Sequence, residues 1–181
     1  MLKRVDGYEI RPLLVSDVTD YYEEGVNPID PKLVYFTGGQ KEFSKEDITS
    51  YVEKVTQADD RYDFVILNPD GNIIGEVVLN EIEDQPRQAN FRILLFSLKD
   101  RHHGIGTWAT QFAIQFAFEE LQLHRLSLEV FSYNKVAQRL YQKVGFREEG
   151  RLRHAIMDGE SYADIILMSI LEDEYNKVKS I

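Results

Sequence analysis

The stretch Arg101-His102-His103-Gly104-Ile105-Gly106-Thr107 constrains this chain more than any other. An apolar, strand-like segment, Phe91-Arg92-Ile93-Leu94-Leu95-Phe96, leads into it, and a helical run from Trp108 to Leu121 leaves it. A polar loop with two glycines that opens a helix presents free backbone N–H groups at the positive end of the helix dipole. Such a loop is a cradle for a phosphate or pyrophosphate. The chain is therefore expected to carry a strand–loop–helix unit, its loop either a cradle for a phosphate-bearing ligand or a plain helix entry with glycines for packing.

The flanking segments surround that unit with hairpins. Residues 8–13 read as a short strand stopped by Pro12, and Ser16-Asp17 caps a helix running to Gly25. Asn27 to Pro31 reads as a turn-rich loop, and Leu33 to Phe43 shows no clear period. Ser44 to Asp47 opens a second helix carrying Ile48, Tyr51, Val52 and Val55. Two strands, 62–67 and 73–79, flank the turn Asn68-Pro69-Asp70-Gly71-Asn72, and a third occupies 89–98. Past the glycine loop, helix 107–121 keeps Trp108, Ala109, Phe112, Ala113, Phe116 and Ala117 at helical spacing. Residues 125–131 alternate as a half-buried strand, and Asn134 opens a helix closed by Gly145. A last strand pair covers 146–152 and 161–171, followed by a charged tail, frayed or a short helix. Antiparallel hairpins thus enclose one parallel βαβ crossover, an α+β arrangement. With no repeat or linker in its 181 residues, the chain reads as a single domain, 1–181.

Composition removes several functions. Without cysteine there are no disulfides and no thiolate nucleophile, and the four histidines show no metal-ligand spacing. No metal is expected. A formal charge of −10 opposes nucleic-acid binding and favours cationic small molecules near the surface. No apolar run is long enough for a membrane span and no signal peptide opens the chain, so it reads as cytoplasmic.

Three phosphate ligands compete for the loop. A P-loop fails, because no lysine follows either glycine. Gly104-Ile105-Gly106-Thr107-Trp108-Ala109 does fit the dinucleotide pattern G-x-G-x-x-A, with Glu129 near the place of a ribose-binding acid. Against it stand five polar residues before the loop, Lys99 to His103, and a C-terminal hairpin where further βα units would be needed. The third ligand is coenzyme A. Arg101 to Gly106 fits the R/Q-x-x-G-x-G/A loop of the GNAT family of N-acetyltransferases. Asn134-Lys135-Val136-Ala137-Gln138-Arg139-Leu140-Tyr141-Gln142-Lys143-Val144-Gly145-Phe146 resembles that family's second signature, N-x-x-A-x-x-x-Y-x-x-x-G-F. The likeness extends over essentially the whole chain and is closest to the branch holding ribosomal-protein and spermidine acetyltransferases.

The resemblance implies a GNAT-type sheet of about seven mostly antiparallel strands flanked by about four helices, with a V-shaped splay between strands 89–98 and 125–131. It implies acetyl-CoA as co-substrate, its pyrophosphate on the N–H groups of His102, His103, Gly104, Ile105, Gly106 and Thr107 beside Arg101. The pantetheine arm would run along Phe96, Ser97 and Leu98, one of whose N–H groups would bind the oxyanion. Asn134 and Ala137 would touch the coenzyme, and Tyr141 would both contact it and protonate the departing thiolate. The family chemistry is direct attack by a neutral amine in a ternary complex. The acceptor would be a polyamine or other small amine, or a protein N-terminal amine; homodimers are frequent in the family. The base is not given by the resemblance: the strand before the loop has Asn90 and Arg92 where many relatives carry Glu, leaving Glu76 and Glu129 as candidates, or a water chain. That departure raises the alternative of a catalytically inactive acetyl-CoA-binding regulatory module. Tyr21, Tyr22, Glu23, Glu24, Tyr35 and Phe36 could form an aromatic, acidic acceptor wall.

Overall fold

Alternation along single strands builds two apolar cores on opposite faces of one sheet. In β3 (Tyr62–Leu67), Phe64 and Ile66 enter one core while Val65 and Leu67 enter the other, as the two-residue period of a strand requires. The computed structural model describes residues 2–4, 6–39, 42–96 and 103–179. Among these the sheet has eight strands in the order β1-β2-β3-β4-β5-β6-β8-β7. They are β1 (Leu2–Lys3), β2 (Glu9–Pro12), β3, β4 (Ile73–Glu83), β5 (Gln88–Leu95), β6 (Arg125–Phe131), β7 (Arg147–Asp158) and β8 (Ser161–Leu171). Apart from the two-residue β1, these are the seven strands expected.

Among the described residues, six helical segments flank the sheet. Helix α1 combines a 3-10 turn (Val15–Asp17), an α-turn (Val18–Asp20) and a wider π-turn (Tyr21–Val26). Helices α2 (Pro31–Thr37) and α3 (Lys45–Val55) follow, then α4 (Ile105–Gln115) with a π-helical continuation (Phe116–Glu120). α5 (Lys135–Lys143) and α6 (Glu172–Lys179) complete the set. The capping box expected for α3 forms: Ser44 Oγ accepts from the Asp47 amide at 3.1 Å, and Asp47 Oδ2 from the Ser44 amide at 3.0 Å. Helix α2 falls where the sequence shows no period, and only Leu33 of its residues is buried. Leu13, Tyr21, Leu33, Ile48 and Val52 pack on one face of the sheet; Ile105, Ala109, Ala113 and Tyr141 pack on the other.

All strand pairs are antiparallel except β5 and β6, which pair only at Gln88–Arg125, Ala89–Leu126 and Asn90–Ser127. The joint is pinned at its base, where the Arg87 carbonyl accepts from the amides of His124 at 2.7 Å and Arg125 at 3.2 Å. Beyond Asn90 and Ser127 the two strands part, giving the V-shaped splay. No described helix is long and apolar enough to cross a membrane.

Candidate active site

The splay leaves residues 91–95 of β5 without a strand partner on the side facing β6. At about 3.3 Å per residue that is roughly 16 Å of free main-chain edge. An unpaired edge seeks hydrogen-bond partners, and an extended chain with amides along it can supply them. Along this edge β5 turns Phe91 and Ile93 to one core and Leu94 to the other, so side chains of both cores border the gap.

Helix α4 packs against β4 and β5, and its start meets α5. Its N-cap is Gly104, with φ of +75° in the left-handed region, where a residue without Cβ carries no penalty. The Gly104 carbonyl accepts from the Trp108 amide at 3.0 Å, while the earlier N–H groups of the first turn have no partner within the helix. A Cβ built on Gly104 would meet nothing within 4 Å. The second glycine has a different reason. A Cβ on Gly106 would come within 3.2 Å of Leu140 Cδ1, so Gly106 lets α4 and α5 pack closely. Ser97, Leu98, Arg101 and His102 lie outside the described residues. Phe96 does not offer a free amide, since its N–H donates to the Ile74 carbonyl at 2.9 Å. The oxyanion donor expected between Phe96 and Leu98 is therefore not the amide of Phe96.

Tyr141 sits on α5 within the core shared with α4. Its ring meets Phe91 edge-on at 6.2 Å and Phe146 at 5.9 Å, and burial pushes its phenol up to about 12. Its hydroxyl makes no hydrogen bond among the described residues. Asn134 is the N-cap of α5: its Oδ1 accepts from the Ala137 amide at 3.2 Å. That bond occupies the Ala137 N–H, leaving the Asn134 side-chain amide nitrogen for other contacts.

The opposite face carries a polar chain centred on the buried Glu76 and reaching the surface at Arg92. Tyr21 of α1 donates its hydroxyl to Glu76 Oε2 at 2.7 Å, and Arg92 Nη2 of β5 donates to Glu76 Oε1 at 3.1 Å. Glu76 is 4% exposed, so its charge needs this pairing. Tyr51 of α3 extends the chain, its hydroxyl 3.4 Å from Arg92 Nη2 and 3.3 Å from Asp63 Oδ1. Burial, then the charge of Glu76, raises the phenol of Tyr21 well above its ordinary value. Tyr21 also meets Phe96 edge-on at 5.3 Å, so the array ties α1 to the end of β5. Tyr51 was not singled out in the sequence because its spacing matches a core position of α3. Glu76→Ala is expected to destabilise the fold by about 2–4 kcal/mol, mainly through the stranded Tyr21 hydroxyl. Thermal unfolding would show a midpoint lower by roughly 5–15 °C for a chain of this size. An unchanged midpoint would mean the array carries no stability.

The acceptor wall expected from Tyr21 to Phe36 separates into two parts. Tyr21 is buried in the array just described, Tyr22 packs beside the same core, and Glu23 and Glu24 are exposed. Tyr35 and Phe36, on α2, face another cluster. Tyr35 stacks on Tyr133 at 4.5 Å, donates its hydroxyl to Asp158 at 3.0 Å, and lends its carbonyl to the Tyr133 hydroxyl at 2.7 Å. A cavity of about 350 Å³ lies here, lined by Val34, Tyr35, Phe131, Tyr133, Ile156 and Met157 among others. Tyr133 and Met157 carry no sequence signal beyond their neighbourhood. Glu129 is exposed on β6, alternating with Leu128 and Val130 of the α4-side core. It therefore lies on the face away from Tyr141, two residues past the last β5–β6 pair. His154 stacks on Tyr162 at 5.6 Å at the surface of the β7–β8 hairpin.

A family model described as an acetyltransferase (GNAT) domain matches residues 8–147. The spermidine N(1)-acetyltransferase of Escherichia coli (strain K12) is 34% identical over 61% of this chain and 59% of its own length. The chain thus spans about 59% of that curated relative. A Bacillus subtilis (strain 168) protein named as a probable N-acetyltransferase, YjcK, is 30% identical over 96% of this chain and 98% of its own. Among solved structures, spermidine N-acetyltransferase from Vibrio cholerae in complex with CoA and spermine superposes with a TM-score of 0.83. It is 25% identical, covering 94% of this chain and 98% of that one.

Proposed function

This chain belongs to the acetyltransferase (GNAT) family, and from that premise we propose that it moves the acetyl group of acetyl-CoA onto a primary amine. The observation that carries the reading is the splay itself. An unpaired β5 edge runs beside the glycine-started N-terminus of α4, with Tyr141 on one face of the gap and Glu129 on the other. The α4 N-terminus, from His103 to Thr107, suits the coenzyme pyrophosphate. The β5 edge suits the amides of the pantetheine arm.

The two-sided gap supports direct attack in a ternary complex. An amine approaching on the α1–α2 face would meet a thioester whose sulfur lies toward the α5 face. The sulfur there would be met by the hydroxyl of Tyr141, whose phenol, pushed up to about 12 by burial, stays protonated and can donate a hydrogen bond as charge develops. Proton removal from the ammonium falls to the other face. Glu76 has both carboxylate oxygens engaged by Tyr21 and Arg92, so we assign it to holding α1 against β5. Glu129, exposed on the acceptor face, is the better candidate base, acting directly or through water.

The spermidine acetyltransferase relatives favour a polyamine acceptor, and the formal charge of −10 would concentrate such cations nearby. The apolar, aromatic lining of the cavity at Tyr35 and Tyr133 favours the second reading, a peptide N-terminal amine with a side chain to bury. A thiol-release assay with spermidine, spermine, small monoamines and peptides separates the two. Saturable turnover with polyamines and none with peptides is the expected result. Tight acetyl-CoA binding without turnover on any amine would instead support a coenzyme-binding regulatory module.

A further inference from the structure

We infer that Arg4 is a positioning residue for the coenzyme's phosphate cradle; the inference rests on the acetyl-CoA reading above. Arg4 lies on the chain between β1 and β2, and its guanidinium sits between two rings, 5.6 Å from Tyr8 and 5.5 Å from Trp108. Trp108 belongs to the first turn of α4. Both terminal nitrogens of Arg4 also lie 3.5 Å from the carbonyl of His103, at a sequence separation of 99. One side chain therefore braces Gly104 from both flanks, the residue before it through the carbonyl and the first helical turn through the indole.

The electrostatics say what this brace is for. A cation at a helix N-terminus opposes the helix dipole and is disfavoured there. Arg4 stands beside the N-terminus of α4, with Asp6 at 2.9 Å as a partly solvated counter-charge. A planar cation fixed between aromatic rings, next to N–H groups already aimed at an anion, becomes favourable once that anion is present. A pyrophosphate on the α4 N-terminus reverses the sign of the interaction. Pinning the His103 carbonyl also fixes the peptide that leads into the left-handed Gly104, and with it the direction of the α4 amides.

The test compares acetyl-CoA with S-acetylpantetheine, a donor with the same thioester and no phosphate. Arg4→Gln in the full chain is expected to raise KM for acetyl-CoA roughly tenfold, the scale of one charge-assisted contact. Its kcat and its KM for S-acetylpantetheine should stay as in the parent. Arg4→Lys, which keeps the charge without the planar fork, should fall between the two and covers the case where Arg4→Gln folds poorly. A KM rise shared equally by both donors, or a fall in kcat with both, would reduce Arg4 to a structural tether and overturn the inference. An unchanged KM for acetyl-CoA would overturn it as well. A parent protein that shows no calorimetric binding of CoA would sink the coenzyme reading itself, a result distinct from either.

Discussion

Gly104→Val is expected to weaken acetyl-CoA binding by a hundredfold or more, roughly 3 kcal/mol or above. Two effects add. At φ of +75° a residue with a Cβ carries a cost of about 1–2 kcal/mol, and β-branching makes that region less accessible still. The chain would relax by rotating the peptide out of the left-handed region, turning the α4 amides away from a common focus. If it did not relax, the valine methyl groups would occupy space that holds no protein atom within 4 Å of a Cβ, in front of the amides proposed to bind phosphate. Either outcome removes the anion site.

Gly104→Ala separates the two, since it carries most of the backbone cost with little of the volume. Its calorimetric affinity should fall between those of the parent and Gly104→Val. Because Gly104 caps α4 at the surface and not in a core, both variants should stay folded, with midpoints lowered by only a few degrees. Retained affinity in Gly104→Val would sink the assignment of this loop to the coenzyme.

The succession of elements along the chain is legible because it rests on strong local signals, whereas the splay is implied only by the resemblance to the GNAT family. Alternation in 125–131, the turn at Asn68 to Asn72 and the Asn134 cap all have short-range causes. Helix α2 is not legible as a helix, although its signals are local too. Asp30 accepts from the Lys32 amide at 2.8 Å, Pro31 opens the helix, and Gly38 closes it at φ of +67°. With one buried residue, α2 has no apolar period to announce it. The outer half of β7 leaves no clear signal for a related reason. It is an exposed edge with register shifts between Glu148 and Gly150 and between Leu152 and Ile156, so alternation breaks where the strand continues.

The site divides in the same way. Gly104 stands out as a glycine opening a helix and Tyr141 by its place in the motif that resembles the family's second signature, but the engagement of Glu76 has no such mark. Its partners, Tyr21 and Arg92, come from 55 and 16 residues away, and only the packing of α1 on the sheet brings the three together. Gly106 shows the converse: a motif position read as serving the ligand also serves the contact with Leu140.

Tyr141→Phe should lower kcat by a factor between roughly 10 and 10⁴, the range for losing one acid–base group, while leaving coenzyme affinity within about threefold. The substitution is clean because the ring does the packing. Phe91 and Phe146 contact the aromatic face and edge, and the hydroxyl has no protein partner among the described residues, so the melting midpoint should hardly move. The pH profile then identifies what was lost. Burial raises the phenol to about 12, so the protonated form persists across the working range. A thiolate derived from a thiol of ordinary pKa, about 8–9, does not draw the proton fully away from such a phenol. In the proposed mechanism Tyr141 would therefore act mainly as a hydrogen-bond donor to sulfur as charge develops there, a stabilisation confined to the transition state. In the parent, kcat/KM for the amine should rise as the ammonium loses its proton and show no fall assignable to the phenol below about pH 11. Tyr141→Phe should keep that shape and lower its height. An unchanged kcat, with single-turnover rates confirming that chemistry limits the cycle, would take Tyr141 out of the mechanism. An alkaline fall near pH 9 that vanished in the variant would mean the phenol titrates far below its buried value, and that Tyr141 transfers its proton outright.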